Sequence, residues 1–80
     1  MTTNELKKGT RVELSNGWLA TLLDNMKGNT RLARVEGIFT ECGSIYSHDI
    51  VAAEINGEWT TDISYTPAQL ACKLRADAFG

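Results

Sequence analysis

His48 and Asp49 stand side by side in this chain of 80 residues, and a histidine beside a carboxylate is the pairing that acid–base chemistry uses. On an extended strand, however, adjacent side chains point to opposite faces, so the two are poorly placed to touch. His48 is the only histidine, and no serine or cysteine stands at a spacing that marks a nucleophile beside it. The expectation is that Asp49 bonds a turn backbone while His48 packs or sits at the surface. Cys42 and Cys72 are the only cysteines and belong to no Cys-x-x-Cys pair, so they read as free, inert thiols. Cys42 is expected at a hairpin tip and Cys72 as helix packing. So few sulfur ligands predict no metal site. No glycine pattern of Walker or Rossmann spacing is present, and no cofactor is expected.

The aromatic residues carry a different chemistry. Trp18 and Trp59 each follow an Asn-Gly pair, and Tyr46 and Tyr65 flank loops. Tryptophan and tyrosine near turns supply large contact area at little entropic cost, which makes these four the candidate partner-binding residues. The other reading is that they plug the ends of a small barrel, and both stay open here. Phe39 and Phe79 are assigned to packing.

Charge gives a second candidate surface. Up to residue 35 the basic residues Lys7, Lys8, Arg11, Lys27, Arg31 and Arg34 outnumber Glu5, Glu13 and Asp24, for a net +3, and the remainder of the chain is −5. The six basic residues are the candidates for nucleic-acid binding, with phosphates held by Lys and Arg. A net charge of −2 and a pI near 5.2 work against that alternative, as do Glu13, Asp24 and Glu36 nearby.

These residues need a scaffold, and the apolar pattern supplies one. Two alternating runs, Thr10 to Leu14 and Trp18 to Asp24, meet at Asn16-Gly17, a strong hairpin signal. With Asn16 and Gly17 as a two-residue turn, Leu14 pairs with Leu19 and Val12 with Thr21. Val12, Leu14, Leu19 and Leu23 then form the core face. Asn25 to Asn29 reads as a turn, and Thr30 to about Ile38 as a third strand whose apolar parity switches near Gly37, where a bulge is expected. Thr40 to Gly43 reads as another turn. Residues 50–55 and 58–63 form a second hairpin about Asn56-Gly57, whose faces mix charges with aliphatics, so that either it is half packed or a bulge resets its register. Thr66 is placed as an N-cap and Pro67 at the first helical position of a short helix, about residues 67–78, with Leu70 and Leu74 as its buried stripe. Residues 1–8 read as a loose lead-in.

The opening Lys8-Gly9-Thr10-Arg11-Val12-Glu13-Leu14, with its glycine turn and the strand Ala20-Thr21-Leu22, resembles the first hairpin of small SH3-like barrels of the KOW type. That resemblance implies a mainly β fold: one SH3-like barrel domain over residues 1–80, of about five to six antiparallel strands, with binding done by loops and exposed aromatics. Residues 31–50 are similar to small proteins of T4-like tailed phages, which implies a phage accessory or host-modulating protein and carries no functional residue across. With no apolar run of signal or membrane-spanning length, the expected setting is the cytoplasm, that of the host if phage-encoded. The expected function is a non-enzymatic module engaging a protein partner, away from membranes. Nucleic-acid binding is the alternative, and strand edges make self-association a further expectation.

Overall fold

The computed structural model describes residues 1–79, and the Phe79 side chain, expected to pack, lies outside the described residues. Its strands are β1 (Arg11–Leu14), β2 (Leu19–Leu22), β3 (Thr30–Glu36), β4 (Thr40–Tyr46), β5 (Ile50–Ile55) and β6 (Glu58–Thr60), followed by helix α1 (Pro67–Phe79). All six strands join one antiparallel sheet in the order β4-β3-β2-β1-β5-β6. The first four form a meander, and β5 returns to the other side of β1. The mainly β architecture with a short C-terminal helix is therefore the one the chain adopts. No ladder joins the edges β4 and β6 among the described residues.

The two Asn-Gly pairs turn the chain differently. Asn56 and Gly57 both take positive φ, 53° and 83°, and close a two-residue turn with Ile55 opposite Glu58. At the first pair only Gly17 does so, at 89°. Gly17 N–H bonds Leu14 O, Leu14 N–H bonds Trp18 O, and Asn16 Oδ1 accepts from Trp18 N–H, so Ser15, Asn16 and Gly17 form a three-residue loop. That extra residue moves the register by one: Val12 pairs with Ala20 and Glu13 with Leu19. The core face of β2 is consequently Ala20 and Leu22, both fully buried, instead of the expected Leu19 and Leu23.

A bulge settles the second hairpin. Val12 faces Ala53 and Glu13 faces Ala52, but Leu14 faces Ile50, so Val51 is the extra residue and stays exposed. The bulge lets both Ile50 and Ala53 reach the core despite their opposite parity. Leu6, Val12, Leu14, Ala20, Leu22, Ala33, Ile50 and Ala53 make up that core, backed by Val35, Ile45, Ile55 and Ile63. Three of the eight are alanines, so little apolar area is buried and polar ties must add to it.

Two buried polar side chains do so. Arg31 occupies an inward position of β3 and is 1% exposed. Its guanidinium donates to Asp24 Oδ1 (2.7 Å), Thr3 O (2.8 Å), Leu6 O (2.8 Å) and Asp24 O (2.7 Å). Residues 1–8 are therefore no loose lead-in. Thr3–Glu5 forms a 3-10 turn, Thr3 and Leu6 are buried, and Thr2 bridges to Ser64. Arg31 also explains the apparent parity switch in β3: Arg31, Ala33 and Val35 alternate inward without interruption, and Leu32 faces outward. The turn after β3 lies at Gly37 to Phe39, so residues 40–43, expected as a turn, open β4.

Gln69 is the second tie. Thr66 Oγ1 accepts from Gln69 N–H, and Gln69 Oε1 accepts from Thr66 N–H, a reciprocal capping box that confirms Thr66 as the N-cap. Its Nε2 donates to Asn4 Oδ1 and to Gly28 O. The helix thus docks through Gln69, with Cys72 and Ala76 half-buried on the same side, while Leu70 and Leu74, expected as the buried stripe, are exposed.

Candidate functional site

His48 and Asp49 sit on a 3-10 turn, Ser47–Asp49, between β4 and β5. The turn faces α1 across a cleft of about 460 Å³ lined by Ser15, Tyr46, His48, Tyr65 and Lys73 among others. His48 is buried and stacks on Tyr46, with ring centroids 4.9 Å apart. Its Nδ1 has no hydrogen-bond partner among the described residues, and its Nε2 lies 3.8 Å from Asp49 Oδ1, too far for a hydrogen bond. Ser15 Oγ donates to that same Asp49 oxygen at 3.3 Å, and Ser15 N–H bonds Asp49 O at 2.8 Å. Asp49 thus ties down the first hairpin loop, but its carboxylate meets the Ser15 hydroxyl instead of the expected turn backbone, which bonds its main-chain oxygen, and the 3-10 turn replaces the extended strand. Among the described residues no hydrogen bond joins His48 to Ser15, whose partners are both on Asp49. Tyr65 donates its hydroxyl to Ile50 O, and burial, followed by the charge of Asp49, pushes its pKa up.

The four candidate aromatics do not share one surface. Tyr46 and Tyr65 line the His48 cleft. Trp59 lies opposite Glu54 on the outer sheet face, beside Glu13 and Leu19. Trp18 lies at the open end of the inner face, beside Leu14, Val35 and Ile45. Its indole covers Gly37 so closely that a Cβ built there would fall 2.5 Å from the ring. Glycine at 37 is therefore what lets the ring press against the β3–β4 turn. The same turn projects Ile38, 84% exposed, and Phe39, 75% exposed, beside the 43% exposed Trp18. Phe39 is thus not a packing residue. Two hairpin tips bring three large apolar side chains to one end of the sheet.

The six basic residues divide: residues 25–29 lie beside the start of the chain, where Lys8 N–H bonds Asn25 Oδ1 and Lys7 and Lys27 share a cleft, and the three arginines lie elsewhere. Arg31 is inside the fold, which removes it from any phosphate-binding surface. Arg11 pairs with Glu36 at 3.1 Å on the outer face, and Arg34 faces Cys42 across the β3–β4 ladder. Cys42 is exposed in mid-strand instead of at a hairpin tip. Lys7 and Lys27 line a separate cleft together with Glu5.

Sequence reasoning missed Ile38 and Phe39 because the turn was placed after them. The available signal was two large apolar residues directly after Gly37, outside any alternating run. Compared with protein-family models, curated proteins and solved structures, the chain matches none.

Proposed function

We propose that this chain is a non-enzymatic binding module that engages a protein partner through the apolar end of its sheet. The observation that carries the reading is the grouping of Trp18, Ile38 and Phe39, with the indole laid over Gly37. Large apolar side chains on a turn add nothing to this core, and aromatic anchors of this kind dominate the energy of protein interfaces. A binding role at loops is also what the resemblance to SH3-like barrels implies, and the resemblance to small phage proteins makes a host cytoplasmic protein the partner to seek. Nucleic acid is the poorer fit, because Arg31 is buried and Arg11 is neutralised by Glu36. The test places a photoreactive phenylalanine analogue at position 39 in the producing cell, with the exposed position 58 as control. A discrete protein adduct from position 39 and none from 58 is expected. No adduct from 39, or one with nucleic acid alone, overturns the reading.

A further inference from the structure

A strand at the edge of a sheet carries unpaired N–H and C=O groups, and the two edges here differ in how many they offer. In an antiparallel ladder, successive residues turn their backbone groups alternately toward and away from the neighbour. Ser47 N–H bonds Asn29 O at 2.8 Å, which sets the phase of the β3–β4 ladder. Glu41, Gly43 and Ile45 turn toward β3, and Thr40, Cys42, Ser44 and Tyr46 turn outward. Leu23 N–H bonding Leu32 O on the other side of β3 gives the same phase. At the opposite edge Glu58 and Thr60 turn toward β5, leaving Trp59 as the one outward residue of β6. Moreover, β4 runs through seven uninterrupted pairs and has no proline or lysine, so that of the devices that blunt an edge it carries one charge alone, Glu41, on the inner face opposite Val35.

We propose that a second copy of this chain adds to that edge, β4 against β4, antiparallel about Gly43. Each molecule has one long edge, and β6 is too short to receive β4. Head-to-tail growth is therefore closed off, and a two-fold pair saturates both long edges. Centred on Gly43, Cys42 lies opposite the partner's Ser44, Thr40 opposite the partner's Tyr46, and Glu41 opposite the partner's Ile45. The single carboxylate of β4 never faces its equal. A groove of about 290 Å³, lined by Trp18, Val35, Glu41 and Ile45 among others, lies beside this edge. The two surfaces adjoin, but the outward amides of β4 and the side chains of Trp18, Ile38 and Phe39 are different groups, so amide exchange along β4 and cross-linking from position 39 to a different protein report on the two proposals separately.

Sedimentation velocity from low to high micromolar concentration, paired with amide exchange at both limits, tests this. The mass is expected to rise toward twice that of the chain. The amides of Thr40, Cys42, Ser44 and Tyr46 slow by about tenfold or more at high concentration, and that of Trp59 does not. Ser44→Pro removes one outward N–H while sparing the β3–β4 ladder, and that variant stays monomeric. Should it fail to fold, the wild-type exchange pattern decides. A monomer at every concentration, or a dimer whose protected amides lie outside β4, overturns the proposal.

Discussion

Arg31→Met is expected to leave the domain close to unfolding. Its guanidinium makes four hydrogen bonds inside the fold, and methionine replaces its volume but none of its donors. The Leu6 carbonyl loses its donor, the Thr3 carbonyl keeps only the Leu6 N–H, and the Asp24 carboxylate keeps only the Leu32 and Met26 amides. Removing one partner of a buried pair costs about 3–5 kcal/mol. The whole stability of a domain this size is about 5–10 kcal/mol. Urea unfolding of the variant should show a midpoint displaced far toward water, with a smaller loss for Arg31→Lys, which keeps the charge but cannot reach in three directions. A wild-type midpoint in Arg31→Met would refute the role.

The pH dependence follows from the same pair. Burial raises the Asp24 pKa, but the Arg31 hydrogen bond, the Leu32 and Met26 amides and the Arg31 charge outweigh it, so the carboxyl sits below its ordinary 3.8. A carboxylate with a lowered folded pKa contributes stability that is complete above the unfolded value and is lost as pH falls through the folded one. The wild type should therefore weaken on acidification below about pH 4. Arg31→Met, having already lost the pair, should weaken less there.

Gln69→Leu is the second large effect. Leucine fills the buried site and keeps its backbone N–H for Thr66 Oγ1, but it loses the Oε1 that accepts from Thr66 N–H and both Nε2 bonds, to Asn4 and to Gly28. Losing that half of the capping box costs up to about 1 kcal/mol, and groups left unsatisfied in the interior about 1–3 kcal/mol more. In a domain of this size that sum lowers the Tm by about 10–20 °C. Thr66→Ala removes only the cap hydroxyl and should lower it by about 4–8 °C. Equal losses in the two variants would mean that Gln69 acts as a cap alone and does not hold the helix to Asn4 and Gly28.

What was legible in the residues is the architecture: the antiparallel sheet, the two Asn-Gly reversals and the helix opened by Thr66 and Pro67. Two of the misreadings share a physical cause, since they fall where a polar group took a place reserved for an apolar one. Arg31 inside β3 made an unbroken alternation look like a parity switch and sent the turn to residues 40–43. Gln69, in place of Leu70 and Leu74, docks the helix. At the first hairpin Leu19, Ala20, Leu22 and Leu23 fit either face. The side chain of Asn16, bonded to Trp18 N–H, chose the longer loop and with it the register. The candidate site was half legible: Trp18 was found, but the exposure of Ile38 and Phe39 depends on a turn that Arg31 had hidden.

The most direct measurement compares the Ile38→Ser/Phe39→Ser double variant with the wild type in two assays, thermal unfolding and affinity for the protein cross-linked from position 39. Both side chains stand clear of the core, so stability should change by no more than about 0.5 kcal/mol per site. Affinity should fall by about thirtyfold or more, as loss of a hot spot does. A large fall in stability with affinity unchanged would contradict the assignment of this end of the sheet to a partner.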